Sequence, residues 1–464
     1  MNINKKKELL ILSYAEFWDM VSFFGTVSIL ILYLTKSLNF DDQQSYSIYG
    51  IYVTLLCAFP ILGGFINDNF IGDKISLYLG GILMIIGNVL LFIKNPYYLF
   101  VGISLTITGT ALLKTTCTNM VGTIYDNSES EKDWAYSIFY AFLNVGAIVG
   151  PVLYGLVSYF LDWNYSFVIG SIGLFSSLLL FKFSSIVKYS DEEKKVTASK
   201  KIIGCSIIFL CAITSSLLFI FYQFFDYFLC FFVFVIVVLC IMYVKKCSSI
   251  NRRRIFGIII LLTFTVFFFL SSLQVGSSIN LFISRYVNVS VFNFKVPETW
   301  FVALDPLFLV LSAPIISKIW RYLDKNKVEV NPFFVVAVGL LFSAASFMFF
   351  WLASINVNSS NIYVVIAPLI LGFLMIGTGE MIFSPIVLST ISKKSPEGIK
   401  NTMMGGWYFF MAIAGYSGSI IDRSMSGVGE QINTFSNIFI AITLITLISS
   451  VFLFITSSSY KKLF

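Results

Sequence analysis

Five ionisable side chains stand inside long apolar runs: Glu16, Asp19, Lys114, Asp305 and Glu380. A charge in such a setting is costly, so each is a candidate for recognition or proton transfer. Glu16 and Asp19 are three residues apart, which places both carboxyls on one face of a helix. Two acids that close do not both ionise cheaply, so a proton held between them is the expectation. The alternative is two acids solvated near a helix end. Lys114 shares a helix face with Thr110 and Thr118. A buried ammonium there needs an anion, from Glu16, Asp19 or a substrate, unless it is a structural ion pair only. Glu380 follows Gly377-Thr-Gly379 and precedes Ser384-Pro385, and Gly and Pro in mid-helix suit a segment that bends. Asp305 leaves two readings open: a site residue if deep in a helix, a cap if the helix starts after it.

Covalent chemistry finds little support. The chain has no His, which removes imidazole ligands and any Ser-His or Cys-His nucleophile. Seven Cys, at 57, 117, 205, 211, 230, 240 and 247, form no CxxC, and most sit in apolar runs as small hydrophobes. The expectation is no enzyme, no metal and no cofactor, with a proton as the only coupling ion.

The elements that position these residues are membrane helices. Hydrophobic residues make up 58% of the 464 and charged residues 12%, more apolar surface than a water-soluble chain can hide. A hydrocarbon core of about 30 Å takes roughly 20 apolar residues per helix. Runs of that length fall near 8–35, 48–66, 75–94, 97–124, 134–161, 163–183 and 202–222. Seven more fall near 226–244, 255–284, 299–321, 333–354, 361–391, 400–421 and 434–458. The fold class expected is therefore an all-α membrane protein of about fourteen spans. Polar breaks divide it into a six-helix bundle (1–185), a linker with two extra helices (186–250) and a second six-helix bundle (251–464). The middle pair, with Gln223 and Asp226 its main polar residues besides Ser and Thr, is the poorest part for chemistry. A faint repeat links Pro60-Ile-Leu-Gly-Gly-Phe-Ile-Asn-Asp68 with Pro314-Ile-Ile-Ser-Lys-Ile-Trp-Arg-Tyr-Leu-Asp324, as two parallel six-helix halves require. Gly146-x-x-x-Gly150-Pro151 marks a close helix contact rather than a ligand site. The first helix, carrying Glu16 and Asp19, is not expected to be a cleaved leader.

The net charge of +7 does not point to nucleic acid. With these spans, 25 of the 31 Lys and Arg fall on the N-terminal side, five on the other, and Lys114 lies within a helix. That bias places both termini in the cytoplasm. The clusters Lys5-Lys6-Lys7, Lys194 to Lys201, Arg252-Arg253-Arg254 and Lys318 to Lys327 also suit anionic lipid headgroups of the bilayer.

Eight stretches, in order, resemble the motifs of the proton-dependent oligopeptide transporters, a family of the major facilitator superfamily. Glu16-Phe-Trp-Asp19-Met20-Val-Ser-Phe23-Phe24-Gly25 resembles E-x-x-E-R-F-x-Y-Y-G, and Pro60 to Gly72 resembles P-x-x-G-G-x-x-A-D-x-x-x-G. Gly109 to Lys114 is similar to G-x-G-x-x-K, and Phe139 to Gly146 to F-Y-x-x-I-N-x-G. In the second half, Gln274 to Phe282 resembles Q-x-G-S-S-x-N-x-F and Pro297 to Phe308 resembles P-x-x-W-F-Q-S-x-N-P-x-F. Gly379 to Pro385 matches G-E-x-x-x-S-P, and Met404 to Trp407 is similar to M-G-x-W. Bacterial members carry two extra helices between their halves, and the short connection from Ile355 to Asn361 leaves no room for the extracellular domain of animal members.

The resemblance implies proton-coupled symport of di- and tripeptides by alternating access, in a bacterial cytoplasmic (inner) membrane, by a chain that works as a monomer. Carried over by residue, it implies Glu16, Asp19 and Lys114 as the proton-coupling group. Asn144, Gln274, Trp300, Asp305, Glu380, Ser384, Trp407, Phe23, Phe24 and Cys57 would line the substrate site. Asp68, Gly146, Gly150 and Pro385 would serve gating. The chain departs from the family pattern where Met20 and Val27 replace two Arg, Phe23 and Phe24 two Tyr, Cys57 a Tyr, Asp19 a Glu and Asp305 an Asn. An amino acid, an amine or another non-peptide solute is the alternative cargo, and a transport-inactive solute sensor the alternative of another class. Reporter fusions after Lys195, Arg253 and Lys327 should read cytoplasmic and fusions near Asn95 or Asn358 external. Opposite sides for Lys195 and Lys327 would show the span count between them to be wrong.

Overall fold

The computed structural model describes residues 3–125, 129–184, 197–246, 248–287, 289–291, 294–328, 330–359, 362–396, 399–426 and 431–464. Lys194, Lys195, Cys247, Asn361 and most of the break from Ser184 to Lys201 lie outside them. Helices run in the order α1 (Ile3–Leu32), α2 (Asp42–Ile66), α3 (Asp73–Leu91), α4 (Pro96–Ile124), α5 (Glu129–Phe160), α6 (Ser166–Lys182), α7 (Ala198–Ile220) and α8 (Phe225–Lys246). There follow α9 (Ser249–Ser272), α10 (Ser278–Tyr286), α11 (Thr299–Val302), α12 (Leu304–Lys325), α13 (Pro332–Ile355), α14 (Tyr363–Lys394), α15 (Lys400–Met425) and α16 (Gln431–Lys461). The all-α expectation holds but for one small hairpin, in which β1 (Ser290–Val291) pairs antiparallel with β2 (Phe294–Lys295).

Among the described residues, thirteen helical segments are long and apolar enough to cross a membrane, α9 with α10 and α11 with α12 each counting as one. The twenty-six residues of α15 add a fourteenth long helix whose hydropathy is diluted by Asn401, Asp422 and Arg423. At 1.5 Å per residue it is long enough to span. One expected span needs correction: 255–284 is not a single helix. It breaks at the 3₁₀ turn Leu273–Gly276, after which Ser277 takes non-helical backbone angles (φ −114°, ψ −108°). Gly276 costs helix stability there, and the flanking serines offer the chain side-chain hydrogen bonds instead.

The packing divides the chain into two compact units. The first comprises residues 1–41, 55–220 and 297–303. Its centre is α1 laid against α5. A Cβ on Gly146 would stand 2.6 Å from the Phe17 carbonyl, and one on Gly150 2.6 Å from that of Val21. Only glycine lets two backbones approach this closely. Helix α11 is tied to α5 as well: Thr299 Oγ1 donates to the Pro151 carbonyl (2.9 Å) and Trp300 Nε1 to that of Val152 (3.3 Å). At one rim, Asp162 caps the turn before α6 by accepting from the Trp163 amide (2.8 Å) and pairs with Lys94. The Lys94 ammonium holds the Asp162 carboxyl below the usual carboxylate range. The pair's contribution is thus present at neutral pH and fades as the pH falls through that lowered value. Both partners are exposed, so it is small.

The second unit comprises residues 42–54, 221–296 and 304–464. Two acid–base pairs stand near its helix ends. Arg285 holds Asp42 with two hydrogen bonds (2.8 and 2.6 Å), and Arg423 holds Asp226 with two more (2.9 and 3.0 Å). Tyr416 donates to Asp226 as well (2.6 Å). Asp226 therefore joins α8 to α15. The planar guanidinium fork of Arg285 on the Asp42 carboxylate gives that joint fixed geometry. Gly150→Val should lower the stability of the folded protein by about 1–3 kcal/mol, because the α1–α5 contact has no room for a side chain. An unchanged thermal unfolding midpoint in detergent would refute that contact.

Candidate functional site

Within the first unit the α1–α5 contact leaves Glu16 and Asp19 inside, both fully buried. Asp19 Oδ1 accepts from Thr110 Oγ1 of α4 (3.0 Å). Asp19 Oδ2 and both Glu16 oxygens are buried without a hydrogen-bond partner among the described residues. Neither carboxylate accepts a hydrogen bond from Lys114. The half-buried ammonium instead stands 5.3 Å over the ring of Phe23. An aromatic face attracts a cation, and desolvation strengthens the effect to about 2 kcal/mol. Lys114 still acts on both carboxylates, and on Cys57, through space. Phe23 and Phe24 contact each other (4.9 Å between centroids), and Cys57 is buried nearby on α2. One unit thus gathers two acids, one cation, Phe23 and Cys57.

Other residues named from sequence in this unit are engaged elsewhere. Asn144 donates from Nδ2 to the Tyr140 carbonyl of its own helix (2.9 Å). Trp300 spends its indole N–H on α5, and Gly146 and Gly150 are the contact points just described. Asp68 is exposed in the π-turn Asn67–Ile71 that ends α2 before Gly72 (φ +75°).

Within the second unit, Asp305 and Glu380 come together. A Cβ on Gly377 would stand 2.8 Å from the Asp305 carbonyl, so α14 lies tight against the first turn of α12. Glu380 is three residues on and on the same face, near enough for the two carboxyls to repel. Asp305 lies within α12, and the helical turn Thr299–Val302 precedes it, so it is not the residue that caps a later helix. Its Oδ1 is buried with no hydrogen-bond partner among the described residues, as is Ser384 Oγ one turn beyond Glu380. Pro385 removes the N–H that would reach the Met381 carbonyl. Trp407 is buried against Phe269 (5.2 Å) and Phe383 (6.2 Å). Gln274 lies in the α9–α10 break and accepts from Ser278 Oγ (2.8 Å).

One buried acid escaped the sequence reading. Asp422 is fully buried, with Oδ2 accepting from Ser277 Oγ (2.8 Å) and Oδ1 unpartnered. It directly follows the apolar run 400–421 and precedes Arg423, so it reads as a solvated helix end. The serines of Gln274-Val-Gly-Ser-Ser, two donors beside a helix break, were the available signal.

Long helices with acids on their inner faces, held in two units, describe a multi-pass membrane protein. Residues 75–438 match the model of the POT family. The chain belongs to that family, whose members are transporters rather than catalysts. It is 27% identical to the peptide transporter YePEPT of Yersinia enterocolitica, over 88% of this chain and 85% of that one. It is also 27% identical to the di-/tripeptide transporter of Lactococcus lactis, over 88% of both. The fold matches a crystal structure of a mutant peptide transporter POT in complex with alafosfalin, with TM-score 0.85, 24% identity and coverage of 98% and 95%. A POT family transporter in complex with 5-aminolevulinic acid matches with TM-score 0.83, 23% identity and coverage of 97% and 96%.

Glu16 has no hydrogen bond to lose, so Glu16→Gln should leave the thermal unfolding midpoint unchanged or higher. Thr110→Val strips Asp19 of its donor and should cost about 1–3 kcal/mol. A larger loss from Glu16→Gln than from Thr110→Val would contradict this arrangement.

Proposed function

We propose that this protein is a proton-coupled symporter of short peptides, moving di- and tripeptides by alternating access with both termini in the cytoplasm. The observation that carries the reading is the likeness, over nearly the whole chain, to two peptide transporters within one family. The buried acids support the coupling. Glu16 and Asp19, with Lys114 beside them, are suited to take a proton on one side and give it up on the other. Each pH unit supplies about 1.4 kcal/mol per proton. The membrane potential adds about 2.3 kcal/mol per charge per 100 mV. One proton therefore sustains steep accumulation without any other cofactor.

A second reading concerns which end of the peptide is recognised. A free carboxylate is best held by the planar fork of Arg. The first-helix positions for that task hold Met20 and Val27, leaving Lys114 as the cation. Asp305 and Glu380 together offer acceptors for an amine. Recognition should rest on the amino end, so a dipeptide and its C-terminal amide should compete within about tenfold, a gap of about 1.4 kcal/mol. A far stronger preference for the free carboxylate would refute it.

Uptake of labelled dialanine into proteoliposomes tests the whole. The wild type should accumulate it only with an inward proton gradient. Glu16→Gln should lose accumulation yet retain counterflow, and Lys114→Ala should lose uptake. Accumulation indifferent to the gradient would sink the coupling, and failure of every dipeptide to compete would sink the substrate class.

A further inference from the structure

Asp422, at the end of α15, belongs to none of the groups used so far. Its side chain is fully buried, yet among the described residues no cation is paired with it. The charged and titratable groups around it are known by name. Tyr46 faces it from α2 and is itself within reach of Asp42 and Arg285, Ser277, Ser278 and Gln274 face it from the break between α9 and α10, and Arg423 adjoins it in sequence. Arg285 is taken up by Asp42 through both terminal guanidinium nitrogens, and Arg423 by Asp226 through Nη2, which donates to both carboxylate oxygens, with Tyr416 on the same carboxylate. A carboxylate enclosed like this and left without a cation is expensive, and the economical remedy is a proton.

The surroundings fit one. Oδ2 accepts from Ser277 Oγ at 2.8 Å, while Oδ1 has no hydrogen-bond partner among the described residues. Ser277 is the residue at which the helical path is interrupted between α9 and α10. Ser278, next in sequence, donates to Gln274 Oε1 at 2.8 Å across the same break, and both side chains also reach towards Asp422. We infer that Asp422 is a second proton-binding site of this protein, distinct from Glu16 and Asp19, built into the break between α9 and α10. A proton on Oδ1 removes the charge and leaves the Ser277 bond intact. Loss of that proton leaves an anion that draws the Ser278 hydroxyl away from Gln274. The first turn of α10 is then tied to a different acceptor in each protonation state. No bond other than O–H forms or breaks.

The test needs no substrate, so its outcome and that of the transport reading are separate. Full-length protein in lipid nanodiscs, labelled with carbon-13 at aspartate, is measured by infrared difference spectroscopy from mildly acidic to mildly alkaline pH. The wild type should show a protonated-carboxyl stretching band that Asp422→Asn removes and that disappears as the pH is raised. Ser277→Ala, which keeps the acid and deletes its one donor, should shift the same band. That variant also serves if Asp422→Asn does not fold. Spectra in which Asp422→Asn removes no protonated band at any pH would overturn the inference. So would a band that Ser277→Ala leaves in place.

Discussion

Hydrocarbon offers no hydrogen bonds, so a chain that carries acids into its interior must place them by helix contact alone. Both units meet that demand with a small residue beside the acid. In the first, Gly146 and Gly150 bring the α5 backbone against α1 at Phe17 and Val21, which leaves Glu16 and Asp19 inside. In the second, Gly377 brings α14 against the first turn of α12, which sets Glu380 beside Asp305. Close backbone approach is thus the condition for everything else. It fixes carboxyls to within a side chain's reach of each other without requiring a cation to hold them.

The charges fall into two populations. Four acids near helix ends have basic partners: Asp42 with Arg285, Asp226 with Arg423, Asp162 with Lys94 and Glu298 with Lys36. The interior acids Glu16, Asp19, Asp305 and Asp422 each keep at least one oxygen with no partner among the described residues. A paired carboxylate is a fastener. An unpaired one retains a vacancy for a positive charge, whether a proton or an ammonium group, and a vacancy can be filled and emptied. The division between what holds the fold and what works in it follows from that difference.

Much of this was legible in the sequence, for a physical reason. A segment that crosses lipid must be apolar for about 20 residues, so the helices and the few charges inside them stand out. The spacing of Glu16 and Asp19 reported a shared face, and Gly146-x-x-x-Gly150 reported a close contact. What stayed hidden depends on three-dimensional enclosure. Asp422 sits at the edge of its apolar run, and only packing separates a buried end from a wet one. The interruption at Leu273–Gly276 was masked because its flanking serines, Ser271-Ser272 and Ser277-Ser278, sit inside a longer apolar run. The partner of Lys114 was hidden too, since an aromatic face leaves no mark in a pattern of charges. Asp305 was ambiguous because the helical turn before it, Thr299–Val302, is too short to show periodicity.

The two units are not successive lengths of chain. Residues 42–54 pack with the second unit although they precede most of the first, and residues 297–303 pack with the first although most of the second surrounds them in sequence. On the ribosome, the opening half of α2 therefore emerges long before its packing partners have been made. The first unit in turn waits for Thr299 and Trp300 before its ties to α5 can close. The opening half of α2 must wait in the bilayer for its partners, and the last contacts of both units belong to a late stage of synthesis. A gene cut between the units at any single point would leave each fragment lacking a piece that the other encodes.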